Sequence, residues 1–479
     1  MSHRVLPAIA FACLAATLPS LAWAGTLQNL AHSAPEGAQL TFQGTDGTVI
    51  AQSFSDQHWY KLTPDSTGSY VNGTWTRLAD LPSQYSPDAF ASAVLADGRL
   101  VISGGEYDFG NFSLTKDSAI YDPLANKWSM LKVAKKMKFV GDSGSVVLPN
   151  GHYLLATKLN TKMFDMDPST LIWTEVGSKN KADFNSEEGL TLLPDGRVLT
   201  VDVKNHPNSE IYDPATGTWS SAGSTVADLQ EPPCCGCINY GKKNKCYFPP
   251  GEVGPMVLRP DGTVFATGGF HQGQNKGHTA VYTIATNSWA AGPDFPTGDA
   301  AGDEFASLAP SGNVLVQSEN CELYEFNGST LADQHVSGGC NSLMVLPTGQ
   351  ILVGGAQVYN PTGTYQASWA PTITNVPGTI TRGATFQIFG TQFNGLSQAN
   401  AFGDELQTNT NYPLVRITNN STGHVFYART HDHSTMGVAT GNATVSTFVD
   451  VPSGMETGAS SLVVVANGIP STAASVTVN

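Results

Sequence analysis

The sequence predicts an all-β fold made of seven copies of a four-stranded antiparallel unit, followed by a smaller sandwich-like β domain. Three observations predict it. Pairs of short apolar runs recur along residues 25–370, and a turn breaks each pair: Asp46-Gly47, Asp97-Gly98, Asn150-Gly151, Asp195-Gly196, Asp261-Gly262, Ser311-Gly312 and Thr348-Gly349. Such dipeptides join antiparallel strands because glycine reaches positive φ without a steric penalty. Each pair is followed by a third run and usually by a fourth that holds a Trp, as in Tyr121 and Trp128. The composition agrees: 13% charged residues with 49 Gly and 28 Pro suit a turn-rich β protein and exclude a helical or disordered chain.

In chain order, Arg4, the apolar stretch Val5 to Leu18 and the small residues Ala22 and Ala24 read as a secretory signal peptide over residues 1–24, cleaved after Ala24. The expected protein is exported, extracellular or periplasmic, with no membrane insertion. Loss of Arg4 leaves 24 − 1 = 23 basic against 39 acidic residues, so the net charge moves from −15 to −16. That balance excludes nucleic acid as a partner. The reading expects a monomer that meets an extracellular glycan or small molecule.

The repeated units fill 25–370. Their strand pairs read Leu40 to Gln52, Ala91 to Ser103, Gly144 to Ala156, Gly189 to Val201, Pro255 to Thr267, Phe305 to Gln317 and Ser342 to Gly354. Trp75, Trp128, Trp173, Trp219, Trp289 and Trp369 mark the fourth strands, and the sixth unit has no such Trp. Spacings between turns run from 45 to 53 residues, apart from one of 37 and one of 66. A Cys-rich insertion at 231–250 accounts for the longest. Beyond Pro371 the strands shorten and alternate, which marks 371–479 as a separate sandwich-like domain.

Strand geometry places everything before a first strand at the end opposite the turns. Counting back from the turns, Asp88, Asp142, Glu187, Glu252 and Asp303 stand there, with Glu188 and Glu304 beside two of them. Carboxylates gathered around one opening repel each other unless a cation, a cationic ligand or hydrogen-bond donors compensate. An oxygen donor set suits hard divalent cations such as calcium or manganese. The plainer reading is that they accept hydrogen bonds from neighbouring units. His206, His271 and His278 fall in loops at the same end. With Cys13 removed, six cysteines remain, and export makes disulfides their default. Cys321 and Cys340 begin strands of neighbouring units and are expected to pair; Cys234, Cys235, Cys237 and Cys246 form two local disulfides or a zinc site.

Repeats of this length, punctuated by Gly104-Gly105, Gly268-Gly269, Gly354-Gly355 and the Tyr…Trp pairs, resemble kelch repeats, which build β-propellers. The resemblance implies a seven-bladed propeller with the carboxylates at one mouth of its channel. Together with the stretches Tyr412 to Val438 and Ser461 to Val478, the chain resembles the galactose oxidase and glyoxal oxidase family of secreted copper radical oxidases. That family pairs a kelch propeller with a C-terminal immunoglobulin-like, early-set domain. The likeness implies that a loop of the C-terminal domain delivers a histidine to the channel, for which Thr430 to His433 occupies the matching place, with His431 or His433 as candidate. It also implies a Tyr-His pair, a second Tyr and a Cys cross-linked to that Tyr. The chain has Gly339-Cys340 at the Tyr-His place, carboxylates at the other positions, and none of the six cysteines in the first three units. Inherited fold without copper radical chemistry is the resulting expectation. The first functional reading is therefore a recognition protein that binds a glycan or another extracellular ligand at the acidic mouth. The second is a metal-dependent enzyme acting on carbohydrate with a His and carboxylate site, and the third a divergent copper oxidase.

Overall fold

The computed structural model describes residues 24–55, 57–232, 238–240, 245–247, 251–271, 273–403 and 408–479. Its architecture is all-β, with many small antiparallel sheets as in a β-propeller. Four consecutive strands form the repeating sheet, as in Leu40–Gln43, Val49–Gln52, Trp59–Thr63 and Thr74–Arg77, or Ala91–Val94, Leu100–Ser103, Ser118–Asp122 and Lys127–Met130. The units beginning at Ser145–Val147, Thr191–Leu192, Met256–Leu258 and Phe305–Leu308 repeat the pattern.

The turn residues read from the sequence make these meanders. Gly47, Gly98, Gly151, Gly196, Gly262, Gly312 and Gly349 all have φ between 77° and 87°, the left-handed region that glycine tolerates best. In one such turn the Gly98 N–H donates to Leu95 O at 2.9 Å, and the Asp97 carboxylate accepts the Arg99 N–H at 3.0 Å. The Tyr and Trp seven residues apart pack at a tilt across adjacent strands. Ring centroids lie 5.1 Å apart for Tyr121–Trp128, 5.2 Å for Tyr212–Trp219 and 5.1 Å for Tyr282–Trp289.

Two expectations are corrected. Trp369 forms no fourth strand: it lies in the short 3₁₀ turn Ala367–Trp369. The last sheet, Leu343–Val345, Ile351–Val353 and Gln357–Asn360, takes its outer strand from the other end of the chain, Thr26–Asn29, with Thr26 opposite Asn360. The segment from 371 onward is not wholly apart from the repeats. Its strands Thr372–Asn375 to Ala474–Val478 share a sheet and a core around Ile388, Val415, Ile417 and Val464. Its strand Asn400–Phe402 departs, however, and pairs antiparallel with Phe305–Leu308 of the sixth unit.

First strands of neighbouring sheets lie side by side, as Leu40–Gln43 beside Leu343–Val345 and Met256–Leu258 beside Phe305–Leu308. Their alternate side chains are buried on both faces, so these strands carry near-continuous apolar runs. Cys321 and Cys340 form the expected disulfide, with Cα atoms 4.6 Å apart. Cys234, Cys235, Cys237 and the Cys246 side chain lie outside the described residues. Among the described residues no helix is long and apolar enough to cross a membrane.

Candidate functional site

The carboxyl groups singled out from the sequence do converge, at the end of the first strands opposite the Asp-Gly turns. Asp142 and Glu187 are buried, and the fully buried Lys158 ammonium sits between them, paired with both. Glu106 joins them: one oxygen each of Glu106, Asp142 and Glu187 lies within 4.8 Å of the other two. Burial and the neighbouring Asp142 push the Glu106 carboxyl up to about 7, and burial raises Glu187 to about 8 despite Lys158. Next to them stands Glu252, raised to about 10 by burial and then by the charges of Asp303, Glu187 and Glu231. The backbones of Glu187 and Glu252 run parallel there as an isolated bridge.

Asp303 is exposed to solvent; the surrounding protein and then the Asp142 charge raise its carboxyl to about 7. Gly403, just past the strand Asn400–Phe402, packs against it so closely that a side chain there would strike the carboxylate. Asp88 accepts hydrogen bonds from Gln39 and from the Ala89 N–H, and burial raises its pKa. Burial raises Glu304 to about 8, with Gln317 donating to it at 3.1 Å.

Glu188 does not join this group. It turns into the fourth unit, where Lys181 Nζ lies 3.1 Å from Glu188 Oε1 and 2.8 Å from Glu210 Oε2. The same ammonium lies 4.4 Å from the Trp219 ring centre. The Glu210 carboxylate also accepts the Ala182 N–H at 2.8 Å. This buried network ties one unit together and is structural in character.

His431 and His433 are held at the opposite end, among the turns. The His433 N–H donates to Ala96 O, and its ring lies parallel to Tyr412 and bonds Thr447. Burial drives its pKa down to about 3, so the ring is neutral. His431 contacts Asp432 and Asp450 and stacks on Phe448. The segment that crosses toward the carboxylates is instead 399–403, anchored by the Leu308 N–H to Ala399 O bond at 2.6 Å and by the Gly403 N–H to Glu304 O bond at 2.8 Å. Among the loop histidines, His206 and His271 come together around Asp228, whereas His278 pairs with Asp294 at 2.6 Å.

Sequence reasoning missed Glu106, Lys158, Glu231 and Glu319. Glu231 is raised by burial, and Glu319 is pushed up to about 7 by burial and then by Glu231. A signal was available: Glu106, Lys158 and Glu319 follow second strands by two or three residues, and the end of a second strand lies beside the start of a first. The groups gathered here are carboxyls and one ammonium. They can bind a cation, share protons, or offer both donors and acceptors to a polar ligand.

No family model matches the chain. A kelch-like protein of Aspergillus terreus is 29% identical over 86 residues, which are 18% of this chain and 18% of that protein's length. Among solved structures, a fungal alcohol oxidase in complex with copper is 16% identical, with 92% of this chain and 85% of that chain covered and a TM-score of 0.42. Virginiamycin B lyase from Staphylococcus aureus is 10% identical, with 71% of this chain and 100% of that one covered and a TM-score of 0.47. Those names describe those proteins and leave the chemistry of this chain to its own residues. Over those 86 residues the chain is similar to a kelch-like protein.

Proposed function

We propose that the chain is an exported seven-bladed kelch propeller with an immunoglobulin-like C-terminal domain, and that it recognises a polar ligand of the glycan class at the carboxylate end. One observation carries this reading: Glu106, Asp142, Glu187, Glu252 and Asp303, from successive units, meet at one place with several carboxyls raised toward or above neutrality. Carboxyls that titrate near pH 7 are present both as acid and as carboxylate. They therefore both donate and accept hydrogen bonds, which is what a ligand rich in hydroxyl groups requires. Lys158 fixes the geometry of Asp142 and Glu187 and leaves the surrounding carboxyls for the ligand.

A second reading has its own observation. Three carboxyl oxygens within 4.8 Å, from Glu106, Asp142 and Glu187, form an all-oxygen set that suits a hard divalent cation such as calcium or manganese. A metal held there would polarise a carbohydrate substrate or activate water. The copper radical centre of the family that the sequence resembles does not fit this donor set, which offers carboxyls and an ammonium in place of phenol and imidazole.

Glycan arrays and calorimetry with the purified protein test the first reading. Binding of a glycan that a Glu106→Gln and Asp303→Asn double variant loses supports it. No glycan binding, together with a tightly held calcium or manganese ion found by elemental analysis, replaces it with the second. Hydrogen peroxide release on sugars or aldehydes would defeat the claim about copper.

A further inference from the structure

We propose that His206, Asp228 and His271 form a transition-metal site, separate from the carboxyl group and suited to zinc or copper(II). Three loops supply it. His206 stands between Val198–Val201 and Asn208–Asp213, Asp228 follows Thr218–Ser224, and His271 follows Thr263–Thr267. One oxygen of Asp228 serves both rings: Oδ2 lies 2.7 Å from His206 Nδ1 and 3.5 Å from His271 Nε2. The two ring centres are 5.5 Å apart, and one ligating atom of each residue lies within 4.8 Å of the other two.

The remaining polar atoms of the group are already committed in a way that prepares this set. His271 Nδ1 lies 3.0 Å from Gln230 O, and a carbonyl only accepts, so Nδ1 carries the proton. Nε2 then presents its lone pair toward Asp228. The other Asp228 oxygen accepts the Gln230 N–H at 3.2 Å, which orients the carboxylate. Partners of this kind hold metal ligands in place and fix their tautomers. Without metal, His206 Nδ1–H donates to Asp228; a metal at Nδ1 takes the place of that proton, which moves to Nε2 of the same neutral ring.

Side-chain exposures of 30% for His206, 22% for Asp228 and 23% for His271 leave the group accessible from solvent. Three protein ligands and an accessible side are the arrangement in which zinc keeps a fourth position for water or a bound ligand. Imidazole nitrogen favours zinc and copper over calcium and magnesium, the reverse of the all-oxygen carboxyl group. A short stretch of chain joins the two places: Gln230, which orients the ligands here, precedes Glu231, whose charge acts on Glu252.

The test titrates zinc into purified, chelator-treated full-length protein by calorimetry, and cobalt(II) with a visible spectrum. A single zinc ion is expected, bound roughly 10–100-fold more weakly, or worse, by His271→Gln and by Asp228→Asn, and equally well by His278→Gln. Asp228→Asn keeps the side-chain shape, so it decides the matter if a histidine variant fails to fold. Zinc binding unchanged in both variants, no binding up to millimolar zinc, or a thiolate band in the cobalt spectrum pointing to the cysteines would each overturn the site.

Discussion

Lys158 shows how one residue sets the character of the carboxylate end. Its ammonium is fully buried between two almost fully buried carboxyls, a geometry in which removal of one partner leaves charge without compensation. Lys158→Met should therefore cost about 3–5 kcal/mol of stability at pH 8, read by urea unfolding. The loss should shrink at pH 5, where Glu106 and Glu187 hold protons. An equal loss at both values would mean that the lysine acts by packing alone. Part of this site was legible in the sequence. Asp88, Asp142, Glu187, Glu252 and Asp303 share a register before the first strands, and register is what a repeat displays. Glu106, Lys158 and Glu319 share a looser register, two or three residues past the end of a second strand, and their opposite charges and uneven offsets hide it in the sequence. Glu188 could not be sorted from Glu187, because adjacent residues on extended chain face opposite ways and only Lys181 decides which side is compensated.

Among the elements, the strand Thr26–Asn29 shows what the repeat pattern conceals. It supplies the outer strand of the last sheet, and the Gly25 N–H donates to the Gln334 side chain at 3.0 Å. Gly25 also lies against the Tyr359 ring, where any side chain would overlap it. Deleting residues 25–29 from an expressed chain that starts at 25 leaves the Gln357–Asn360 edge unpaired. Stability should fall by roughly 2–4 kcal/mol, from several lost backbone hydrogen bonds at about 1 kcal/mol each. An unchanged urea midpoint would show that the strand closes nothing. Trp369 misled the sequence reading because a Trp at the expected spacing looks like a fourth strand whether or not its backbone is paired. Asn400–Phe402 was invisible for a related reason. Its short, polar-flanked sequence has no strand periodicity, and it becomes a strand only through its partner Phe305–Leu308, with Phe305 and Phe402 rings stacked at 4.0 Å. Hence His431 and His433 looked like the segment that reaches the carboxylates, while contacts across the molecule assign that place to 399–403.

For the whole molecule, the excess of acidic residues and the gathering of carboxyls at one end make stability depend on pH in a direction that can be worked out. Glu106 and Asp303 titrate at about 7, Glu187 and Glu304 at about 8 and Glu252 at about 10, all above the ordinary carboxylate range because of burial. From about pH 4.5 upward the unfolded chain has released protons that the folded protein still binds. Stability therefore falls as pH rises through that window, and the loss is complete only above the highest of these values. His433 works the other way: neutral when folded, with its pKa depressed to about 3, it disfavours folding as pH falls below about 6.5. These raised carboxyls together outweigh one histidine, so the melting temperature should be higher at pH 5.5 than at pH 8.5. A cation bound among the carboxyls would favour their ionised forms and stabilise the folded state by mass action. Calcium or manganese should thus raise the melting temperature at pH 8.5 more than at pH 5.5, and a Glu106→Gln and Glu187→Gln double variant should respond to neither pH nor cation as strongly. If the wild-type protein instead gains stability from pH 5.5 to 8.5 without added metal, the carboxyls are compensated within the fold, and they hold the units together without binding anything.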